Sequence, residues 1–194
     1  MADRTDNVTD PSLRAGLLAA RRGQAFFARM LNELQDADFT GPSLIPGVSR
    51  SRLVAHVGYH ARAFVRVVEG ARRDESVPLY RSPHQRVEEE SLGSTLPAEA
   101  LRNLVAHAAV HLNVEWRDLP ESAWARRVQL SDDDFGPVSR TVALRAEELW
   151  GHAIDLGNGA LPADIPDDLR ERSLAHRSCP LLQEAQSCSS TRRL

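Results

Sequence analysis

At 194 residues the chain can bury one sizeable core, and its 42% hydrophobic and 26% charged content is ordinary globular usage, which excludes a fibrous or wholly disordered protein. A formal charge of −3 and a pI near 6.2 argue against a general nucleic-acid binder. No apolar run approaches the roughly 20 residues that a membrane span requires, and all 24 basic residues are arginine, which removes any lysine-centred mechanism.

Taken in chain order, the first strong element runs from Pro11 to Gln35. Leu13, Leu17, Ala20, Phe27, Leu31 and Leu34 recur there at helical spacing. Asp10 supplies an N-cap and Pro11 a first-turn proline. Residues 39–48 are punctuated by Gly41, Pro42, Pro46 and Gly47 and read as loop. Ser49 then caps a second helix to about Gly70, with Leu53, Val57, Phe64, Val67 and Val68 inward and His56 and His60 on or beside that stripe.

A loop carrying Pro78 and Pro83 leads to a short polar helix over Gln85–Leu92, whose run Glu88-Glu89-Glu90 reads as a solvated face. Pro97 opens a further helix that ends before Pro120, with Leu101, Leu104, Ala108, His111 and Leu112 on one side. Helical period disappears from Ser122 to Val138. There Trp124, Val128 and Leu130 suit a short hairpin around the acidic turn Asp132–Gly136. The last strong helix spans Ser139 to Leu156, stopped by Gly157. The expected fold is therefore all-α: an up-and-down four-helix bundle over residues 10–168, with a short irregular or hairpin insertion before its last helix. DDLRERSLAH (167–176) has room for one or two helical turns, but no sustained period follows, and residues 169–194 read as a C-terminal tail.

Both cysteines, Cys179 and Cys188, lie in that tail, so no disulfide frame holds the fold. With no secretory leader read at the N-terminus, a cytoplasmic protein is expected. No exposed apolar face demands a partner, so a monomer or a homodimer is expected, touching neither membrane nor nucleic acid.

The sharpest chemical pattern is Glu148-Leu149-Trp150-Gly151-His152. Glu and His at i and i+4 project from one helical face and can share a cation. Asp155, one turn on, can orient the imidazole. The missing ligand has to come from a facing helix, and His56 is the best placed. A two-histidine, one-carboxylate set suits Zn²⁺ with an open position, and also Fe²⁺, Ni²⁺ or Mn²⁺. On spacing alone, an exposed helical Glu–His pair fits as well. His60 and His111 are kept as groups lining the site, whereas His84 and His176 lie in polar segments and carry no signal. No nucleophile elbow, phosphate loop or C-x-x-C pair is present.

Two blocks carry a family resemblance. Ser43–Val57 (SLIPGVSRSRLVAHV) resembles the loop-to-helix signature of the mycothiol-dependent maleylpyruvate isomerase family, within the DinB-like metalloproteins. Arg145–Gly157 (RAEELWGHAIDLG) is similar to the same family's R-x-x-E-x-x-x-H-x-x-D-L-G. The resemblance implies a divalent cation, usually zinc, on His56, Glu148 and His152. It further implies mycothiol as thiol cosubstrate and a small electrophilic substrate. The cosubstrate thiolate would add to a double bond; rotation and elimination would then complete a cis–trans isomerisation, whereas retention of the adduct would be an S-transfer. A hydrolase using activated water, or a non-catalytic metal-binding bundle, are the alternatives. The arginine-only composition agrees with an actinobacterial source that makes mycothiol. The chain departs from the family in carrying Val48 where a tryptophan is usual, and the family's C-terminal α/β domain is expected to be absent. Arg52 and Arg145 are the arginines that would hold an anionic substrate.

Overall fold

The computed structural model describes residues 6–131 and 133–177. Asp132 and the two cysteines lie outside the described residues, as does the tail beyond Arg177. Helix α1 (Pro11–Glu33) starts where Asp10 accepts hydrogen bonds from the amides of Ser12 (2.7 Å) and Leu13 (3.3 Å). It stops two residues before Gln35, because Leu34 turns extended and a 3-10 turn follows over Asp36–Thr40. Helix α2 (Arg50–Arg72) is capped by Ser49, which accepts from the amide of Arg52 at 3.2 Å. Helix α3 covers Pro83–Gly93 and α4 covers Ala98–Asp118. The expected hairpin is present as β1 (Arg127–Gln129) antiparallel to β2 (Phe135–Pro137), with Val128 opposite Gly136. Helix α5 (Ser139–Asp155) ends at Gly157, whose φ of +67° is the left-handed conformation that a helix stop requires.

The bundle is built from α1, α2, α4 and α5, the all-α four-helix bundle expected of the sequence, although the consecutive pairs α1/α2 and α4/α5 are not its packed neighbours. Helix α1 packs chiefly on α5 and α2 on α4, while α2 and α5 cross at the centre. The seam between α1 and α4 is the loosest and leaves a cavity of about 210 Å³, walled by Ala20, Gln24, Leu112 and Trp116. Phe27, Leu53, Leu101 and Leu149 belong to one half of the core, and Leu17, Phe64, Leu112 and Val142 to the other. Each such fully buried side chain contributes about 1.5–3 kcal/mol. The change from one half to the other falls between Val57 and Ala61 on α2 and between Ala146 and Leu149 on α5, the stretches that carry His60 and Glu148. Among the described residues no helix is long and apolar enough to cross a membrane.

Three expectations are corrected. Residues 169–177 are not tail: α6 (Asp167–Arg177) buries Leu169 and Ser173 against α5. Its few apolar residues hid it, and Gly151 explains how it docks. A Cβ on Gly151 would sit 2.6 Å from the Ser173 carbonyl oxygen, so only glycine lets α6 approach this closely. The Glu88-Glu89-Glu90 run is not uniformly solvated: Glu88 is exposed, but Glu90 is wholly buried, because α3 packs that edge against α2. His111 does not join the α4 core stripe. Its side chain is 53% exposed, on the edge beside Glu69 of α2.

Candidate metal centre

Helices α2 and α5 place four functional side chains at the bundle centre, each fixed by a neighbour. His56 and His60, one turn apart on α2, stack with ring centroids 5.7 Å apart. Glu148 arrives from α5, its Oε1 accepting from His60 Nδ1 at 2.9 Å and standing 3.5 Å from His56 Nε2. His152, the next turn of α5, meets His56 edge-on at 5.5 Å between centroids. Thus the structure brings together His56, Glu148, His152 and His60. The tightest group, with all donor atoms within 4.8 Å, is His56, His60 and Glu148.

The ring nitrogens are sorted by what lies behind them. An ionised carboxylate can only accept, so each histidine must donate to its acidic partner. His56 Nδ1 donates to Glu90 Oε1 at 2.8 Å, and His152 Nδ1 donates to Asp155 Oδ2 at 2.8 Å. In both rings this leaves Nε2, the nitrogen that carries the lone pair when the ring is neutral, to face the centre. A carboxylate behind a histidine is the arrangement that orients metal-binding imidazoles. His60 has no such support, since its Nδ1 is spent on Glu148 itself. The residues therefore suit a divalent cation of borderline softness.

Glu148 and Glu90 are held ionised. Burial alone would raise the Glu148 carboxyl, but the charges of His60 and Arg145, the His60 hydrogen bond and the charge of His56 hold it well below the usual carboxylate range. Glu90 is likewise raised by burial and, on balance, lowered by its His56 hydrogen bond, by the His56 charge and by Arg86 and Arg52. Asp155 is fixed from the far side by Arg177 of α6, whose Nε donates to Oδ1 at 2.6 Å.

His56 and His60 open onto a small cavity of about 40 Å³, closed by Leu79, Tyr80, Leu130 and His176. Burial, then the charge of His152, pushes His176 down to about 3, so its ring stays neutral in the cavity wall. Burial, with Glu148 and Glu90 nearby, pushes the Tyr80 phenol up, so it keeps its proton.

Other residues named from sequence lie elsewhere or serve otherwise. His111 stands outside this cluster, on α4, 3.3 Å from Glu69. Arg145 is too buried to hold a substrate: it is 2% exposed and donates to Glu148 Oε2 at 2.7 Å and to the Val57 carbonyl at 2.9 Å. Arg52 pairs with Glu90 at 3.4 Å. Glu90 and His176 were missed from sequence. The i,i+4 pair Arg86–Glu90, joined at 3.3 Å, was the available signal for Glu90, whereas nothing in the polar α6 sequence marks His176.

The two sequence blocks also meet in space. Arg50 clamps the end of α5, its Nε donating to the Leu156 carbonyl at 2.6 Å, while the Leu44 amide donates to the Asp155 carbonyl at 2.8 Å. This satisfies helix-terminal carbonyls that would otherwise be orphaned. Fold and site together define a DinB-like helical bundle with a central histidine–carboxylate cluster. A family model described as the mycothiol maleylpyruvate isomerase N-terminal domain matches residues 20–157. Among solved structures, crystal structures of the mycothiol-dependent maleylpyruvate isomerase and of a histidine-to-alanine mutant of it are each 40% identical to this chain. Each superposes with a TM-score of 0.80 over 84% of this chain and 68% of the other. None of the curated proteins compared with it matches. The chain belongs to the mycothiol maleylpyruvate isomerase family.

Proposed function

We propose that this chain is a mycothiol-dependent isomerase of a small, unsaturated, electrophilic acid of the maleylpyruvate type, with a divalent cation, zinc first, held by His56, Glu148 and His152. The observation that carries this reading is the pair of buried carboxylates, Glu90 and Asp155, behind His56 and His152. A cation held there would supply Lewis acidity, lowering the pKa of a cosubstrate thiol towards neutrality. Glu90 and Asp155 keep the Nδ1 protons in place and so present Nε2 of each ring as the donor. Arg145 and His60 fix the two oxygens of Glu148. Leu79 and Leu130 keep water from the cavity wall, and the protonated Tyr80 and Ser131 offer hydroxyl donors to substrate oxygens.

The test is elemental analysis of untagged protein, coupled to an isomerisation assay with maleylpyruvate in the presence and absence of mycothiol. One equivalent of metal at the centre, lost in His152→Ala and retained in His60→Ala, with turnover only when thiol is present, is the expected outcome. Retention in His152→Ala and loss in His60→Ala would transfer the ligand role to His60. Turnover without thiol would point to water as the nucleophile instead.

A further inference from the structure

A second group of metal-type donors lies away from this centre, on the edge where α2 meets α4. Glu69 of α2 and His111 and Glu115 of α4 bring their donor atoms within 4.8 Å of one another. His111 Nε2 stands 3.3 Å from Glu69 Oε1 and 3.8 Å from Glu115 Oε1. Ligand atoms on a tetrahedral cation bound at about 2.0–2.1 Å are roughly 3.3 Å apart, so the spacing is that of ligands around a shared ion.

An independent observation points the same way. Glu115 is only 6% exposed, yet its Oε2 accepts no hydrogen bond, although Arg72 Nη1 lies 3.3 Å from it. The Arg72 guanidinium answers the charge of that oxygen, and the other oxygen, Oε1, is the one turned to His111. The Arg72 side chain is 40% accessible and meets Oε2, so it does not stand between Oε1 and His111 in the ion pairing of this carboxylate. We propose that Glu69, His111 and Glu115 form a second, surface site for a divalent transition cation. One imidazole with two carboxylates selects Zn²⁺, Co²⁺ or Ni²⁺ over Mg²⁺ or Ca²⁺. The half-exposed His111 leaves the remaining position to water.

The probe is Co²⁺ titrated into untagged, metal-free full chain, followed by visible absorption and by the bound stoichiometry after dialysis. Unsubstituted protein is expected to take up one equivalent more than His111→Ala, and Glu69→Gln is expected to show the same loss. All three should share the same far-UV circular dichroism. If the central site also binds, the counts are two and one; if it does not, they are one and zero, which separates this proposal from the preceding one. Equal uptake by the unsubstituted protein and both variants would overturn it, and would mean that the two carboxylates hold an imidazolium rather than a metal.

Discussion

Arg145 and Glu148 form an ion pair one turn apart inside α5, Nη1 to Oε2 at 2.7 Å, with side chains 2% and 0% exposed. The same guanidinium donates to the Val57 carbonyl of α2 at 2.9 Å and to Gln24 of α1 at 3.4 Å. The central carboxylate is thus oriented from behind, and its second oxygen is left to the histidines.

Removing the arginine leaves a buried charge uncompensated, which costs about 3–5 kcal/mol. Arg145→Met is therefore expected to lower the melting temperature by roughly 6–20 °C. Urea denaturation checks it. A loss below about 1 kcal/mol would mean that the histidines alone neutralise Glu148.

Glu90→Gln keeps the shape of the buried side chain but removes the charge behind His56. Loss of such an outer partner typically weakens metal binding about 10–100-fold. Competition with a chelator of known affinity measures it, and unchanged zinc affinity would detach Glu90 from the centre.

Glu90 also shows why the site was only partly legible in the sequence. The bundle helices declared themselves through long apolar periods, and Glu148, His152 and Asp155 share one such helix, so their spacing could be read directly. Glu90 sits in a helix too polar to show a buried edge, and its partner His56 is 34 residues away. His111 misled in the opposite direction. It follows the α4 stripe in spacing, but the edge it occupies is left uncovered. Helix α6 could be read only as one or two turns, because its few apolar residues show no sustained period and its docking depends also on a glycine of α5.

The Asp6–Arg21 pair, 2.5 Å at its shortest, ties the segment before α1 to that helix. The Arg21 hydrogen bond, against some burial, holds the Asp6 carboxyl below its usual range. A carboxyl depressed in the folded state stabilises above its unfolded pKa of about 3.9 and stops doing so as the pH falls through the folded value. Asp6→Asn should therefore lower the melting temperature at pH 7, with the gap closing as the pH falls below the ordinary carboxylate range. A gap independent of pH would mean that packing, not ionisation, is what the substitution disturbs.

Asp10 caps α1 with two amide hydrogen bonds. Asp10→Ala should cost about 1 kcal/mol, and Asp10→Ser should recover most of it. Chemical denaturation of the two variants side by side is the check.

The bare α-carbon at position 151 has a reach beyond packing. It sets how near the final helix can lean, and that helix carries Arg177, which steadies Asp155, which in turn keeps the proton on one nitrogen of His152. A single methyl group there would push on the Ser173 backbone and loosen that whole line of contacts. Steric clearance between two helices and the aim of one imidazole are, in this molecule, joined by a single line of contacts.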